Sequence, residues 1–233
     1  MPTFINHKYK FIFLSGLHCS NRSTVVMFYK SDKNFFGKQI KFKMNKPPYD
    51  YDIFTEKGKP RKSFKSLKWY IKKYPKLWKD YTKVVVIRNP YDRLVGWWHS
   101  CFRKGYSEGK KTIKGWLKHR KGSNILHYCK DNEGNLCIDE TIRYENRIED
   151  IKRVFIDKLK IPNLEPYLEH NSYANLEVKK RPHYSYYYTD KNAKLLESFP
   201  AHKKELDLFN YKFERKVNHH KPKPIYADKM GSW

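Results

Sequence analysis

The stretch from Lys83 to Trp98 constrains the fold of this chain more than any other. Its first part, Val84–Ile87, is a short run of β-branched apolar residues, which is typical of a buried strand. Asn89-Pro90 ends the run, because a residue before proline is driven out of the helical region. Apolar and aromatic residues then recur at helical spacing, at Tyr91, Leu94, Val95 and Trp98. The stretch therefore predicts a strand, a tight turn and a helix.

Arg88 stands at the carboxyl end of the predicted strand. In open α/β sheets that end faces the crevice where ligands bind. The planar guanidinium fork matches the geometry of a phosphate group. A structural role is equally compatible with the sequence, since Arg88 can also pair with Asp92 or cap the turn. The residues alone leave both interpretations open.

This stretch resembles the 3′-phosphate-binding segment of sulfotransferases that use 3′-phosphoadenosine 5′-phosphosulfate. That segment has a strand, an arginine, an Asp/Asn-Pro turn, an aromatic residue, a second arginine and then a serine. The positions from Arg88 to Leu94 follow the pattern. Gly96 stands where the serine is expected, and Ser100, one turn further along, is the candidate substitute. The resemblance implies that Arg88 binds the 3′-phosphate of the donor.

A second segment, Gly16–Thr24, lies between a predicted first strand, Lys8–Ser15, and a predicted short helix, Val25–Lys30. A strand, a loop and a helix in this order present backbone N–H groups to a phosphate. The segment resembles the 5′-phosphosulfate loop of the same family. In the form of that loop centred on serine-threonine-arginine-serine-glycine, Arg22 supplies the cation; in the proline-lysine-threonine form, Cys19 replaces the lysine. The candidate donor-binding residues are Cys19, Ser20, Asn21, Arg22, Ser23 and Thr24.

The catalytic base has no clear candidate. The resemblance places a histidine or glutamate base ahead of the Arg88 segment, but no histidine occurs between His18 and His99. The candidates are therefore His18, Asp52 and His99, with Arg22 as the cation at the transferred group. In the same interval the sequence predicts a strand at Lys38–Lys43 and a helix at about Ser63–Tyr74.

The second half of the chain predicts a strand in Ile138–Asn146 and an amphipathic helix at Ile148–Leu159. Thr189 is predicted to cap a helix that runs to Leu196, and a second helix follows at Ala201–Phe209. The closing segment resembles that of the glycan-type sulfotransferases, called family 2. The resemblance places Arg181 near the 3′-phosphate and lets the tyrosines after it stack on adenine or a sugar. An aromatic packing layer is the alternative.

Ile113, Trp116 and Leu117 indicate a short amphipathic helix. The basic residues around it, up to Lys121, either line a groove for an anionic acceptor or form a solvated face. Cys129 and Cys137 flank a predicted hairpin turn, which leaves a disulfide between them open.

The resemblance spans residues 8–213 and implies an α/β fold. The expected architecture is a central parallel sheet of about five strands flanked by helices, like that of the P-loop nucleotide kinases. We predict one domain over residues 1–213 and a polar, flexible tail over 214–233. The implied reaction transfers a sulfuryl group from 3′-phosphoadenosine 5′-phosphosulfate to a hydroxyl of an anionic or neutral glycan, without a metal.

The net charge of +26, from 50 basic and 24 acidic residues, attracts polyanions without choosing among them. Two alternatives therefore remain: a nucleic-acid- or polyanion-binding protein without catalysis, and an inactive glycan-binding relative of the family. No nucleic-acid recognition motif is present, so no specific nucleic-acid partner is expected. No apolar stretch reaches the ~20 residues of a membrane span and no signal peptide is recognised, so we predict a cytoplasmic protein. The oligomeric state is not predicted.

Overall fold

The computed structural model describes residues 4–15, 19, 21–32, 72, 75–103, 112–126, 129–131, 133–169 and 182–216. The chain divides into two compact units. The first unit comprises residues 1–87 and 126–177, and the second comprises residues 88–125 and 178–233. No helix among the described residues is long and apolar enough to cross a membrane.

The strands and helices follow one another in chain order: β1 (Phe4–Asn6), β2 (Phe11–Ser15), α1 (Asn21–Ser31), α2 (Pro75–Asp80), β3 (Thr82–Ile87), α3 (Pro90–Arg103), α4 (Ile113–His119), β4 (Glu140–Arg143), α5 (Arg147–Ile151), α6 (Asp190–Glu197) and α7 (Pro200–Leu208). A π-helical segment, Lys152–Lys158, continues α5. Short 3₁₀ turns lie at Tyr144–Asn146, Glu165–Tyr167 and Tyr184–Tyr187.

The four described strands form one sheet in the first unit, in the order β1-β2-β3-β4. β2, β3 and β4 are parallel, with Ser15 opposite Val86 and Ile87 opposite Arg143. β1 pairs antiparallel with β2. The fold is therefore α/β with a mostly parallel sheet flanked by helices, which confirms the predicted class. β1 adds one antiparallel edge strand to the parallel strands β2–β4.

Phenylalanine side chains dominate the core of the first unit. Phe11, Phe13, Phe28 and Phe155 are fully buried. The Phe155 ring lies 4.8 Å from that of Phe28 and 5.3 Å from that of Phe11, measured between centroids. These contacts pack α1 and the π-helical segment against β2. Aromatic residues thus supply much of the buried apolar area that stabilises the sheet.

The second unit has its own core, built on α3. Tyr91, Leu94, Val95 and Trp98 of this helix are buried together with Trp116 of α4. Leu196 of α6, Leu206 of α7 and the tyrosines Tyr184, Tyr187 and Tyr188 complete the cluster. The helical spacing read from the sequence is therefore the buried face of α3.

Several local predictions are confirmed and two boundaries differ. The turn at Asn89-Pro90 separates β3 from α3 as predicted, and the Thr189 hydroxyl caps α6 by accepting from the Asn192 N–H at 3.2 Å. The strand predicted at Lys8–Ser15 corresponds to β2, which begins at Phe11 because residues 7–10 form the turn of the β1–β2 hairpin. The helix predicted from Val25 begins four residues earlier, at Asn21.

The predicted hairpin after Cys129 is reduced to a single antiparallel bridge between Lys130 and Leu136. Cys129 and Cys137 are not joined by a disulfide. The Cys137 thiol donates to Asp131 at 3.4 Å, and burial together with this hydrogen bond raises its pKa. The strand predicted at Lys38–Lys43 lies outside the described residues. Only Lys72 of the helix predicted near Ser63–Tyr74 is described, and it is helical.

Glu140 ties β4 to the helical segment that follows it. Its carboxylate accepts hydrogen bonds from Arg153 Nη1 at 2.5 Å and from Lys158 Nζ at 2.6 Å. Burial opposes ionisation, but the hydrogen bonds from Lys158 and Arg153 prevail and hold the pKa of Glu140 below its usual value. A carboxylate whose pKa is lowered on folding stabilises the protein above its unfolded-state pKa. That stabilisation is lost as the pH falls through the folded-state pKa.

We therefore expect the Glu140→Gln variant to lose most stability near neutral pH and progressively less below the ordinary glutamate pKa of 4.5. Urea unfolding of wild type and variant across this range gives the difference in the free energy of unfolding. The exposed Glu165 provides the control, since Glu165→Gln should leave the pH dependence unchanged. A difference for Glu140→Gln that is constant with pH would contradict the assignment.

Candidate functional site

The carboxyl ends of β2 and β3 lie at the same edge of the sheet, because the two strands are parallel with Ser15 opposite Val86. The chain leaves β2 at this edge towards α1, and it leaves β3 there into Arg88. In parallel sheets covered by helices, this is the edge at which ligands bind. Each of the two segments predicted to bind the donor therefore follows a strand that ends at this edge.

Asn89 fixes the turn through which the chain enters α3. Its side-chain Oδ1 accepts from the Tyr91 N–H at 3.0 Å, and its carbonyl accepts from the Arg93 N–H at 2.8 Å. Its Nδ2 donates to the Tyr184 hydroxyl at 3.4 Å. The same hydroxyl accepts from the Glu214 N–H at 3.0 Å. These bonds, on a side chain that is only 6% exposed, set the position of the residue before it, Arg88.

Arg88 lies at the start of α3, where it pairs with Asp92 on the first turn. Arg88 Nε donates to Asp92 Oδ2 at 2.7 Å, and Nη2 lies 2.6 Å from the same oxygen. The structural pairing that the sequence left open is therefore present. It holds the guanidinium in one orientation beside the N-terminus of a helix, where the helix dipole favours anions. The phosphate-binding role of Arg88 stays a prediction.

Two buried phenols lie in the layer around this turn. Burial, together with a 2.5 Å hydrogen bond to Glu197, raises the pKa of Tyr91 far above its ordinary value. Burial also raises the pKa of Tyr184. Both side chains therefore stay protonated at neutral pH. Tyr184, Tyr187 and Tyr188 are each at most 5% exposed, so the closing tyrosines form the packing layer that was the alternative to ring stacking on a ligand.

The first turn of α1 offers main-chain donors, since the side chains of Ser23 and Thr24 are buried. Cys19, Ser23 and Thr24 are all buried. Because α1 begins at Asn21, residues predicted to lie in a loop belong to its first turn. The N–H groups of a first helical turn have no intrahelical acceptor, and they form an anion site together with the helix dipole. Asn21 and Arg22 are described as helical backbone only.

The structure describes only some of the remaining residues that were predicted to belong to the site. His99 lies half-buried on α3, with its ring 4.9 Å from that of Tyr187, at 78°. Ser100 is described only as helical backbone. His18, Ser20, Asp52 and Arg181 lie outside the described residues. No cluster of three or more His, Cys, Asp or Glu side chains able to hold a metal occurs in the part of the chain that the structure describes.

The sequence did not single out Asn89 and Tyr184 as supports of the Arg88 turn. An Asn-Pro pair at the end of a buried strand is a recognisable signal for such a cap. The partnership with Tyr184, 95 residues along the chain, has no local signal.

Residues 1–155 match the model of a family described as the sulfotransferase family. The match covers β1–β4, the segment before α1, the Arg88 turn and the start of the π-helical segment. The closing segment, whose resemblance extends to residue 213, lies beyond it. Searches of curated proteins and of solved structures found no match.

Proposed function

Because this chain belongs to the sulfotransferase family, we propose that it transfers a sulfuryl group from 3′-phosphoadenosine 5′-phosphosulfate to a hydroxyl of a carbohydrate. The position of Arg88 carries the proposal. It follows the carboxyl end of a buried parallel strand, and its turn is fixed by Asn89 and Tyr184. The 3′-phosphate is the group that separates this donor from ATP, and a guanidinium fork suits it.

In the proposed reaction the acceptor oxygen attacks the donor sulfur. The bond between sulfur and the bridging oxygen of the 5′-phosphate breaks, and adenosine 3′,5′-bisphosphate leaves. Charge grows on the oxygens around sulfur, so fixed donors aimed at them lower the barrier. We assign this role to the N–H groups of the first turn of α1 and to Arg22. The acceptor proton passes to a base, for which His18, Asp52 and His99 are the candidates.

The net charge of +26 also favours a second function, namely the binding of polyanions without catalysis. The two functions differ in selectivity. A donor site with a 3′-phosphate pocket distinguishes adenosine 3′,5′-bisphosphate from ATP and AMP. A basic surface binds polyanions broadly, with an affinity that falls steeply with salt.

We expect wild-type protein to bind adenosine 3′,5′-bisphosphate in preference to ATP, AMP and random DNA. The Arg88→Ala change should weaken that binding about 10- to 100-fold, because it removes a charge-assisted hydrogen-bonded contact worth ~1.5–3 kcal/mol. Arg88→Lys, which keeps the charge without the fork, should recover only part of the affinity. Isothermal titration calorimetry measures all four ligands directly.

Arg153→Ala is the matched control. Arg153 is also paired with carboxylates, Glu140 and Asp150, and its removal changes the net charge equally. It should bind the bisphosphate as wild type does. Bisphosphate binding that shows no preference over ATP, or that survives in Arg88→Ala, would contradict the proposed donor site and favour polyanion binding.

A further inference from the structure

Arg120, just beyond the end of α4, is held between two tryptophan rings. Its Cζ atom lies 4.3 Å from the centroid of the Trp97 ring and 4.7 Å from that of Trp116. Trp116 is fully buried, and its Nε1 donates to the Leu94 carbonyl at 3.0 Å. The Arg120 carbonyl bonds to His202 Nε2 at 3.0 Å. Both ends of the residue are therefore fixed, and its guanidinium is oriented before any ligand arrives.

The Arg120 guanidinium lacks the carboxylate partner that four other described arginines have. Four described arginines are paired with carboxylates: Arg88, Arg93, Arg153 and Arg215. Arg120 forms no ion pair with any described carboxylate, and its Nε is buried without a hydrogen-bond acceptor in the described part of the chain. The side chain is partly exposed. A guanidinium carries five N–H donors, so an anion at its exposed edge can accept hydrogen bonds from those that are not buried.

The surface around Arg120 is basic. Residues 112–122 include four lysines and arginines and no acidic residue. Lys114, Lys118 and Lys121 are exposed, and their spacing places the first two on one side of α4. Lys203 and Lys204 on α7 follow His202, which contacts the Arg120 backbone, and both are exposed. The local field therefore attracts anions.

From this geometry we propose that Arg120 anchors a binding site for the oxyanion groups, sulfate or carboxylate, of an acidic polysaccharide. The inference rests on the proposed function for its choice of a polysaccharide as the ligand. The inference that this polysaccharide is acidic rests on the chemistry of the site, which recognises charge rather than sugar rings. Trp116 is fully buried, one face of the half-buried Trp97 ring carries the guanidinium, and no aromatic side chain of α4 or α7 is among the exposed large hydrophobic side chains described.

The lack of accessible aromatic rings around Arg120 also disfavours single-stranded nucleic acid as the ligand. Proteins that bind single strands combine a basic groove with accessible aromatic platforms on which bases stack. Beside Arg120, Trp116 is fully buried and Trp97 carries the guanidinium on one face, so neither ring is an open platform. A rigid guanidinium fork in a lysine-rich surround fits a compact oxyanion, with bidentate hydrogen bonds supplying the affinity.

The test compares dextran sulfate and carboxymethyl dextran with uncharged dextran, and uses a single-stranded oligonucleotide as a fourth probe. Affinities are measured at two salt concentrations for wild type, Arg120→Ala, Arg120→Lys and Lys118→Ala. We expect wild type to bind at least one charged dextran and to ignore the uncharged one. Arg120→Ala should lose at least tenfold in affinity and Arg120→Lys should lose several-fold. Lys118→Ala should lose less than threefold.

Equal losses in Arg120→Ala and Lys118→Ala would overturn the proposal, because Arg120 would then be one charge among many. A larger loss for the oligonucleotide than for the charged dextrans would replace the polysaccharide by nucleic acid. If Arg120→Ala does not fold, the affinity of Arg120→Lys for the charged dextrans tests the proposal instead, since a lysine keeps the cation beside the rings. Binding of adenosine 3′,5′-bisphosphate, expected to be unchanged by Arg120→Ala, reports separately on the proposed donor site.

Discussion

Replacing Arg93 by alanine should destabilise the second unit by ~3–5 kcal/mol, because it leaves a buried carboxylate without its counter-charge. Arg93 and Glu205 are each 1% exposed, and Arg93 Nη2 lies 2.5 Å from Glu205 Oε2. The same nitrogen donates to the Ser123 carbonyl at 3.4 Å. His202 lies on the other side of Glu205, with its Nδ1 3.9 Å from the carboxylate. No lysine and no second arginine forms an ion pair with Glu205 in the described structure.

The double variant Arg93→Met/Glu205→Leu separates charge from packing. Two apolar side chains of similar length need no desolvation, so this variant should be far more stable than Arg93→Ala. Urea unfolding followed by tryptophan fluorescence measures both, since Trp97, Trp98 and Trp116 all lie in this unit. Arg153→Ala is the control, because its half-exposed ion pair should contribute less than ~1 kcal/mol. A double variant as unstable as the single one would show that packing, not charge, makes Arg93 necessary.

Replacing Phe155 by alanine should cost ~3–5 kcal/mol in the first unit, which is the range for removing a large buried ring. The Phe155 side chain is fully buried and lies within 6.4 Å of the ring centroids of Phe11, Phe13 and Phe28. These three residues come from β2 and α1, so the ring joins α1 and the π-helical segment to one face of the sheet. Phe155→Leu keeps part of the volume and should lose much less.

Hydrogen exchange of the β2 and β3 amides reports on this unit directly. Phe155→Ala should accelerate their exchange in proportion to the lost stability. Leu136→Ala, at a side chain that is 44% exposed, should change the free energy of unfolding by less than ~0.5 kcal/mol. Protection of β2 and β3 that is unchanged in Phe155→Ala would mean that the aromatic cluster does not hold the sheet together.

The elements that sequence predicted well carry their signals locally. β3, its turn and α3 follow from the apolar run Val84–Ile87, the Asn89-Pro90 pair and the helical spacing after it. The cap of α6 follows from Thr189 alone. β1 was missed because Phe4–Asn6 is only three residues long. A strand that short is specified by its pairing with β2 rather than by its own pattern.

The roles within the site were harder to predict, since they depend on distant partners. Arg88 and Arg93 both belong to the segment that resembles the family motif. In the structure Arg93 is buried against Glu205, 112 residues away, whereas Arg88 pairs with Asp92 beside it. No local pattern distinguishes an arginine committed to the core from one at the edge of the sheet. The sequence showed that aromatic residues are abundant. It did not decide whether the tyrosines of the closing segment are buried.

The pairing of Arg88 with Asp92 has a consequence for turnover on the proposed function. When the bisphosphate product departs, Arg88 does not have to be rehydrated as an isolated cation, because a carboxylate on the same helix already holds it at 2.6 Å. Such an internal partner lowers the free energy of the empty site and so moderates product affinity. An enzyme that must release one nucleotide before accepting the next gains speed from that moderation. On the proposed function, Asp92 therefore acts on product release rather than on the transfer of the sulfuryl group.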